Sequence, residues 1–149
     1  MILFQKNIPT LIKAFRILLE KDLLDYNLVL VGKAPNKSTL SDIDKIQGLI
    51  SKLGLEGRVI FTGYLSDAQV AYLYQKASLY VFASLNEGFG LPVLEAFNYR
   101  VPIIVANNSC LPEVAGEGAM KFDPFDQNEL ASKMSLLLTD ASLREKMVQ

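Results

Sequence analysis

Histidine is absent from this sequence, and cysteine occurs once, as Cys110. Without histidine, the commonest general base near neutral pH and the common zinc sites are excluded. Any acid or base chemistry falls to carboxylates, lysines, the substrate or another segment. One cysteine allows no internal disulfide, and with no histidine beside it Cys110 reads as a buried or incidental thiol rather than a nucleophile. No apolar run approaches the ~20 residues needed to span a bilayer, and the start of the chain has no signal-peptide cleavage pattern, so a soluble, cytoplasmic protein is expected. Excess charge is missing too. Fifteen Lys and Arg against sixteen Asp and Glu leave a formal −1, and no basic block or stripe invites nucleic acid.

What is present is a packed globular composition, 50% apolar and 21% charged over 149 residues. That length suits one domain, 1–149, hiding roughly two thirds of its unfolded surface. Strand and helix patterns alternate. Met1-Ile2-Leu3-Phe4 reads as the tail of a strand, followed by a helix with Asn7 as cap, Pro9 in its first turn, and Leu11, Ile12, Phe15, Leu18 and Leu19 on one face. Asn27 to Gly32 is a buried strand, then Ile43, Ile46, Leu49, Ile50 and Leu53 recur at helical spacing before a stop at Gly54. Asp42-Ile43-Asp44 imitates a metal-binding pair. No strand immediately precedes it, however, and acidic residues suit a helix N-terminus, so no metal site is assigned. Arg58 to Gly63 is the next strand, and Ser66 to Gln69 has the form of a capping box opening a helix that buries Val70, Leu73 and Tyr74. Leu79 to Phe82 and Val101 to Ala106 are further strands. A short helix at Leu111 to Ala115, a strand at Ala119 to Phe122, a helix over Gln127 to Leu138 and an amphipathic segment after Asp140 complete the chain.

Such alternation with short connections predicts an α/β fold: a three-layer, Rossmann-like parallel sheet of about six strands with helices on both faces. Parallel sheets bind ligands beyond the carboxyl ends of their strands. Lys6, Gly32, Gly63, Glu87 to Leu91 and Asn107 to Ser109 all follow predicted strands, so the fold gathers them along one edge.

The stretch from Ser84 to Phe97 is the most informative. It runs from a strand through a loop bearing Gly88 and Gly90 into a helix with Pro92 in its first turn. Free N–H groups and the helix dipole make that start a seat for phosphate. Glu87 and Glu95 flank it, and carboxylates only accept hydrogen bonds, so their natural partners there are sugar hydroxyls.

Glu-Gly-Phe-Gly-Leu-Pro-x-x-Glu-Ala, beginning at Glu87, closely resembles the signature of retaining glycosyltransferases of family 4, which have the GT-B fold. The resemblance implies the C-terminal, donor-binding domain of such an enzyme. Glu87 would contact the transferred sugar, as the catalytic candidate. Glu95 would bind the ribose, while Gly88, Phe89, Gly90 and Leu91 would lie beside the diphosphate. Lys6-Asn7 before Leu11-Ile12-x-Ala14-Phe15 is similar to the family's first turn, where the lysine meets diphosphate; an exposed loop lysine is the plainer alternative. The usual arginine upstream of that lysine has no counterpart here. Gly63-Tyr64-Leu65 resembles the family turn beside the nucleotide base, and Gly32, ending the strand from Asn27, is a further donor-binding candidate. Tyr64 either stacks on the base or packs, partly buried. Ser109 either touches the transferred sugar or caps the Leu111 to Ala115 turn. Arg100 stands where the family usually has glycine, and a local backbone change is expected.

The implied activity is transfer of a hexose, with mannose the guess from the family, from a UDP-, GDP- or ADP-sugar to a glycan or lipid-linked acceptor, without metal or cofactor. On this reading the chain is a fragment lacking an N-terminal acceptor domain and the start of its first strand. The longer enzyme could associate peripherally with a membrane. Two other classes remain open. A non-catalytic nucleotide-sugar-binding or interaction module would keep the pocket, whereas a nicotinamide-dependent dehydrogenase would need the Gly-x-Gly-x-x-Gly turn that the first strand lacks.

Overall fold

The structure, a computed structural model, describes residues 7–22, 25–32 and 40–148. The strand expected at Met1 to Phe4 and the candidate Lys6 lie outside them. Among the described residues there are five short strands: β1 (Leu28–Leu30), β2 (Val59–Phe61), β3 (Tyr80–Phe82), β4 (Ile103–Ala106) and β5 (Ala119–Phe122). Seven helices accompany them: α1 (Ile8–Asp22), α2 (Leu40–Lys52), α3 (Asp67–Lys76), α4 (Leu91–Asn98), α5 (Leu111–Ala115), α6 (Gln127–Thr139) and α7 (Ala141–Met147). Every ladder is parallel, as short β–α–β connections demand. The strands form two groups, β1-β2 and β3-β4-β5, rather than one ladder of six. Leu28 stands opposite Val59, and Ile103 lies between Tyr80 and Ala119.

Burial explains the layering. Neighbouring residues of a strand point to opposite faces, yet every residue of β3 and β4 is buried, so both faces of that group are covered by helices. Buried residues from both strand groups join one hydrophobic cluster with α1 and α6. Leu11, Ile12, Phe15 and Leu18 are at most 1% exposed, and α6 presents Leu130, Met134 and Leu137 in the same core. Leu19, Val70 and Leu73, expected inside, are only half-buried. β2 buries only Val59 and leaves Ile60 and Phe61 exposed.

Local signals mostly act as their chemistry requires. Ser66 and Gln69 form both halves of the capping box that opens α3, and Asp126 caps α6 through the N–H groups of Asn128 and Glu129. Asn7 stands directly before α1, and its carbonyl accepts from the Leu11 N–H at 3.4 Å. Its side-chain oxygen accepts from the Thr10 hydroxyl at 2.9 Å, and its amide donates to the Pro124 carbonyl at 2.7 Å, so it also ties α1 to the loop after β5. Arg100 has a φ of +53°, a left-handed conformation that favours glycine, so this turn holds backbone strain.

Candidate functional site

Because the strands of each group run in parallel, the segments following them emerge on one edge of that group. The loops after β1 and β2 meet through the Gly32 N–H, which donates to the Gly63 carbonyl at 3.2 Å. Tyr64, beside this junction, is 77% exposed, so it does not pack into the core and its ring is available for stacking. Leu65 is half-buried.

β3 delivers the central loop. Gly90 has φ +66° and is the N-cap of α4, and no side chain caps that helix start. Pro92 supplies no N–H, so the donors offered are the main-chain amides leading into the helix. Phe89 and Leu91, 80% and 61% exposed, point outward beside Gly90. Gly90 itself is buried against α5, with Leu111 and Val114 closest to where a Cβ would stand. Gly88 is exposed, and an added Cβ there would meet nothing within 4 Å.

Glu87 is clasped from two sides. The Ser84 hydroxyl donates to its carboxylate Oε1 at 2.8 Å. From the loop after β4, the Ser109 hydroxyl accepts from the Glu87 N–H at 3.2 Å and donates to the Glu87 carbonyl at 2.8 Å. The Cys110 thiol reaches the same carbonyl, and Asn108 donates to the Leu85 carbonyl at 2.7 Å. Ser109 therefore does not cap α5, whose N-cap is Cys110 without a side-chain bond. Its hydroxyl serves Glu87's main chain. Asn108 Oδ1 is buried without a hydrogen-bond partner among the described residues.

Glu95, one turn into α4, borders a separate hollow of about 280 Å³ between α3 and α4, together with Asp67, Val70, Tyr74, Asn98 and Tyr99. Glu87 does not line it. Tyr74 is buried, stacks on Tyr99 at 5.2 Å, and donates to Glu95 Oε2 at 3.4 Å. Burial, then the negative charge of Glu95, push its phenol far above the ordinary range. Tyr80 is raised likewise, by burial first, then by Tyr74, Glu95 and Glu87. Sequence reasoning gave no site role to Ser84, Asn108 or Tyr99, and treated Tyr74 only as core. No group of three His, Cys, Asp or Glu is clustered for a metal among the described residues. None of their helices is long and apolar enough to cross a membrane.

A parallel α/β domain with an uncapped helix start and two carboxylates at the carboxyl edge of its strands belongs to the Rossmann-like class. The family described as glycosyl transferases group 1 matches residues 2–149, and the chain belongs to it. It is 34% identical over 141 residues to the O-antigen chain mannosyltransferase B of Escherichia coli, covering 95% of this chain and 36% of that protein. It is 36% identical over 137 residues to the serotype-specific mannosyltransferase WbdA of Escherichia coli, covering 91% and 16%. The crystal structure of the C-terminal domain of a glycosyl transferase group 1 family protein, LpcC of Francisella tularensis, superposes with a TM-score of 0.84 at 28% identity, covering 100% of this chain and 78% of that one. The fold is that of the C-terminal domain of GT-B glycosyltransferases. The chain spans about a third or less of the length of these mannosyltransferases.

Proposed function

We propose that this chain is the donor half of a retaining glycosyltransferase. It binds a nucleoside diphosphate hexose, with mannose favoured by the names of its relatives, and acts with an N-terminal domain that holds a glycan or lipid-linked acceptor. The observation that carries this reading is the start of α4: a left-handed Gly90, no side-chain cap, and Glu87 held immediately before it. Oriented amides there stabilise the negative charge growing on a departing diphosphate without reorganising. Lys6 would add its ammonium and make a metal unnecessary. Glu87 grips hydroxyls of the transferred sugar, close to the anomeric centre as it gains positive character. Glu95 takes the ribose, and the exposed Tyr64 ring offers a face to the base.

The test is calorimetric titration of the chain with UDP, GDP and ADP and their hexose conjugates. One of these series is expected to bind, weakly for want of the second domain, and sugar transfer by the chain alone is expected to be slow or nil. Glu95→Ala should weaken nucleotide binding by roughly 1.5–3 kcal/mol, the worth of a charge-assisted hydrogen bond. Equal affinity in wild type and Glu95→Ala would remove the ribose role. Stabilisation by NAD alone would refute the nucleotide-sugar reading. Nucleotide-sugar binding without transfer, even when the acceptor domain is supplied, would leave a binding module.

A further inference from the structure

We propose that Ser84 is the positioning residue of Glu87, fixing the rotamer in which the carboxylate meets the donor sugar; this rests on the donor reading above. Ser84 is the one polar residue buried outright among the described residues, at 0% exposure. It stands two positions beyond the end of β3, on the rigid part of the site. Its hydroxyl has one proton and two acceptors in reach, Glu87 Oε1 at 2.8 Å and the Asn86 carbonyl at 3.3 Å. The shorter, charge-assisted bond takes the proton. Oε1 is thereby drawn inward, and the other oxygen is left to accept from a ligand.

The main chain beneath the carboxylate is equally fixed. The Ser109 hydroxyl bridges both the N–H and the carbonyl of Glu87. Ser109 sustains this from φ +54°, a conformation serine rarely adopts. Neighbouring Asn108 binds the same loop at Leu85. With main chain and carboxylate both tethered before any ligand arrives, Glu87 is preorganised, as a group aimed at a developing charge must be. A serine serving only to close the loop would direct its proton to the Asn86 carbonyl and leave Glu87 free to turn.

The experiment compares wild type, Ser84→Ala, Glu87→Gln and the double variant. The first readout needs no ligand. Three-bond couplings along the Glu87 side chain in NMR should report one rotamer in wild type and averaging in Ser84→Ala, with the melting temperature within a few degrees. Unchanged couplings overturn the proposal. The second readout is the affinity of UDP, GDP and ADP with and without the hexose. Ser84→Ala should reduce the hexose's added affinity about three- to tenfold, leave the bare nucleotides unchanged, and cost nothing more in the Glu87→Gln background. Equal weakening of nucleotide and nucleotide-sugar, or additive losses in the double variant, overturns it. If Glu87→Gln leaves the hexose increment intact, the donor-sugar reading of Glu87 fails, while the coupling result still decides what Ser84 does.

Discussion

Replacing Gly90 with alanine tests whether the mouth of α4 depends on a left-handed residue. At φ +66° an L side chain costs about 1–2 kcal/mol. The added Cβ would stand 3.4 Å from Leu111 Cδ2 and 3.5 Å from Val114 Cγ1, ordinary contact, so no clash adds to that cost. Alanine also restricts the unfolded chain, which offsets roughly 0.4–1 kcal/mol. The net expectation is a loss of up to about 1.6 kcal/mol. Gly88→Ala is the internal control. Gly88 lacks a positive φ, and its Cβ would meet nothing within 4 Å, so only the unfolded-state restriction acts and stability should hold or rise slightly. The unfolded-state restriction is common to both, so the two variants should differ by about 1–2 kcal/mol, or roughly 3–8 °C in melting temperature for a domain of this size. Urea unfolding should show the midpoint of Gly90→Ala falling with an unchanged slope. If the two variants unfold together, or Gly88→Ala is the weaker, the left-handed cap is not what shapes this loop.

Two further outcomes follow from packing and burial. Tyr74 and Tyr80 have phenol pKa values raised by burial, so above about pH 10 the unfolded chain loses protons that the folded chain keeps. Their contribution to stability is full below that pH and falls as pH rises, with a slope approaching 1.4 kcal/mol per unit for each tyrosine. Urea midpoints from pH 9 to 11.5 should drop more steeply in wild type than in Tyr74→Phe; parallel profiles would refute the burial argument. At Gly118 the constraint is steric, since a Cβ would lie 2.9 Å from Phe97 Cε1 and 3.0 Å from Cζ. Gly118→Ala should destabilise by about 1–3 kcal/mol, and Phe97→Leu should recover part of that loss when the two are combined, as thermal unfolding would show.

Periodicity and turn chemistry made most of the fold legible. The capping box at Ser66 and Gln69, the stop at Gly54 and the Leu111–Ala115 helix are each set by residues a few positions apart, so the local sequence contains their cause. Fully apolar runs marked β3 and β4 as strands covered on both faces, and the structure has them so. The partial exposure of Val70 and Leu73 was not legible, because a hydrophobic face records which side turns inward and not how far a neighbouring element extends over it. Arg100 marks a different limit: its φ of +53°, in a turn where its N–H donates to the Phe97 carbonyl at 2.9 Å, is a conformation that an arginine's own preferences do not predict.

The candidate site divides along the same line. Glu87, Gly90 and Glu95 could be selected from one continuous stretch because the strand-to-helix turn itself arranges them. Their supports come from elsewhere: Ser109 lies 22 residues from Glu87, and Tyr74 lies 21 residues from Glu95. Such partners follow from which strands lie side by side, a fact that no local pattern contains. Ser109 was singled out as a sugar contact or a helix cap; it does not cap α5, and its bonds to Glu87 were in neither alternative. A hydroxyl with one proton and two lone pairs can satisfy a main-chain N–H and a carbonyl at once. That capacity is what the loop beside Glu87 required, since its main chain turns away from β3 with no strand partner of its own.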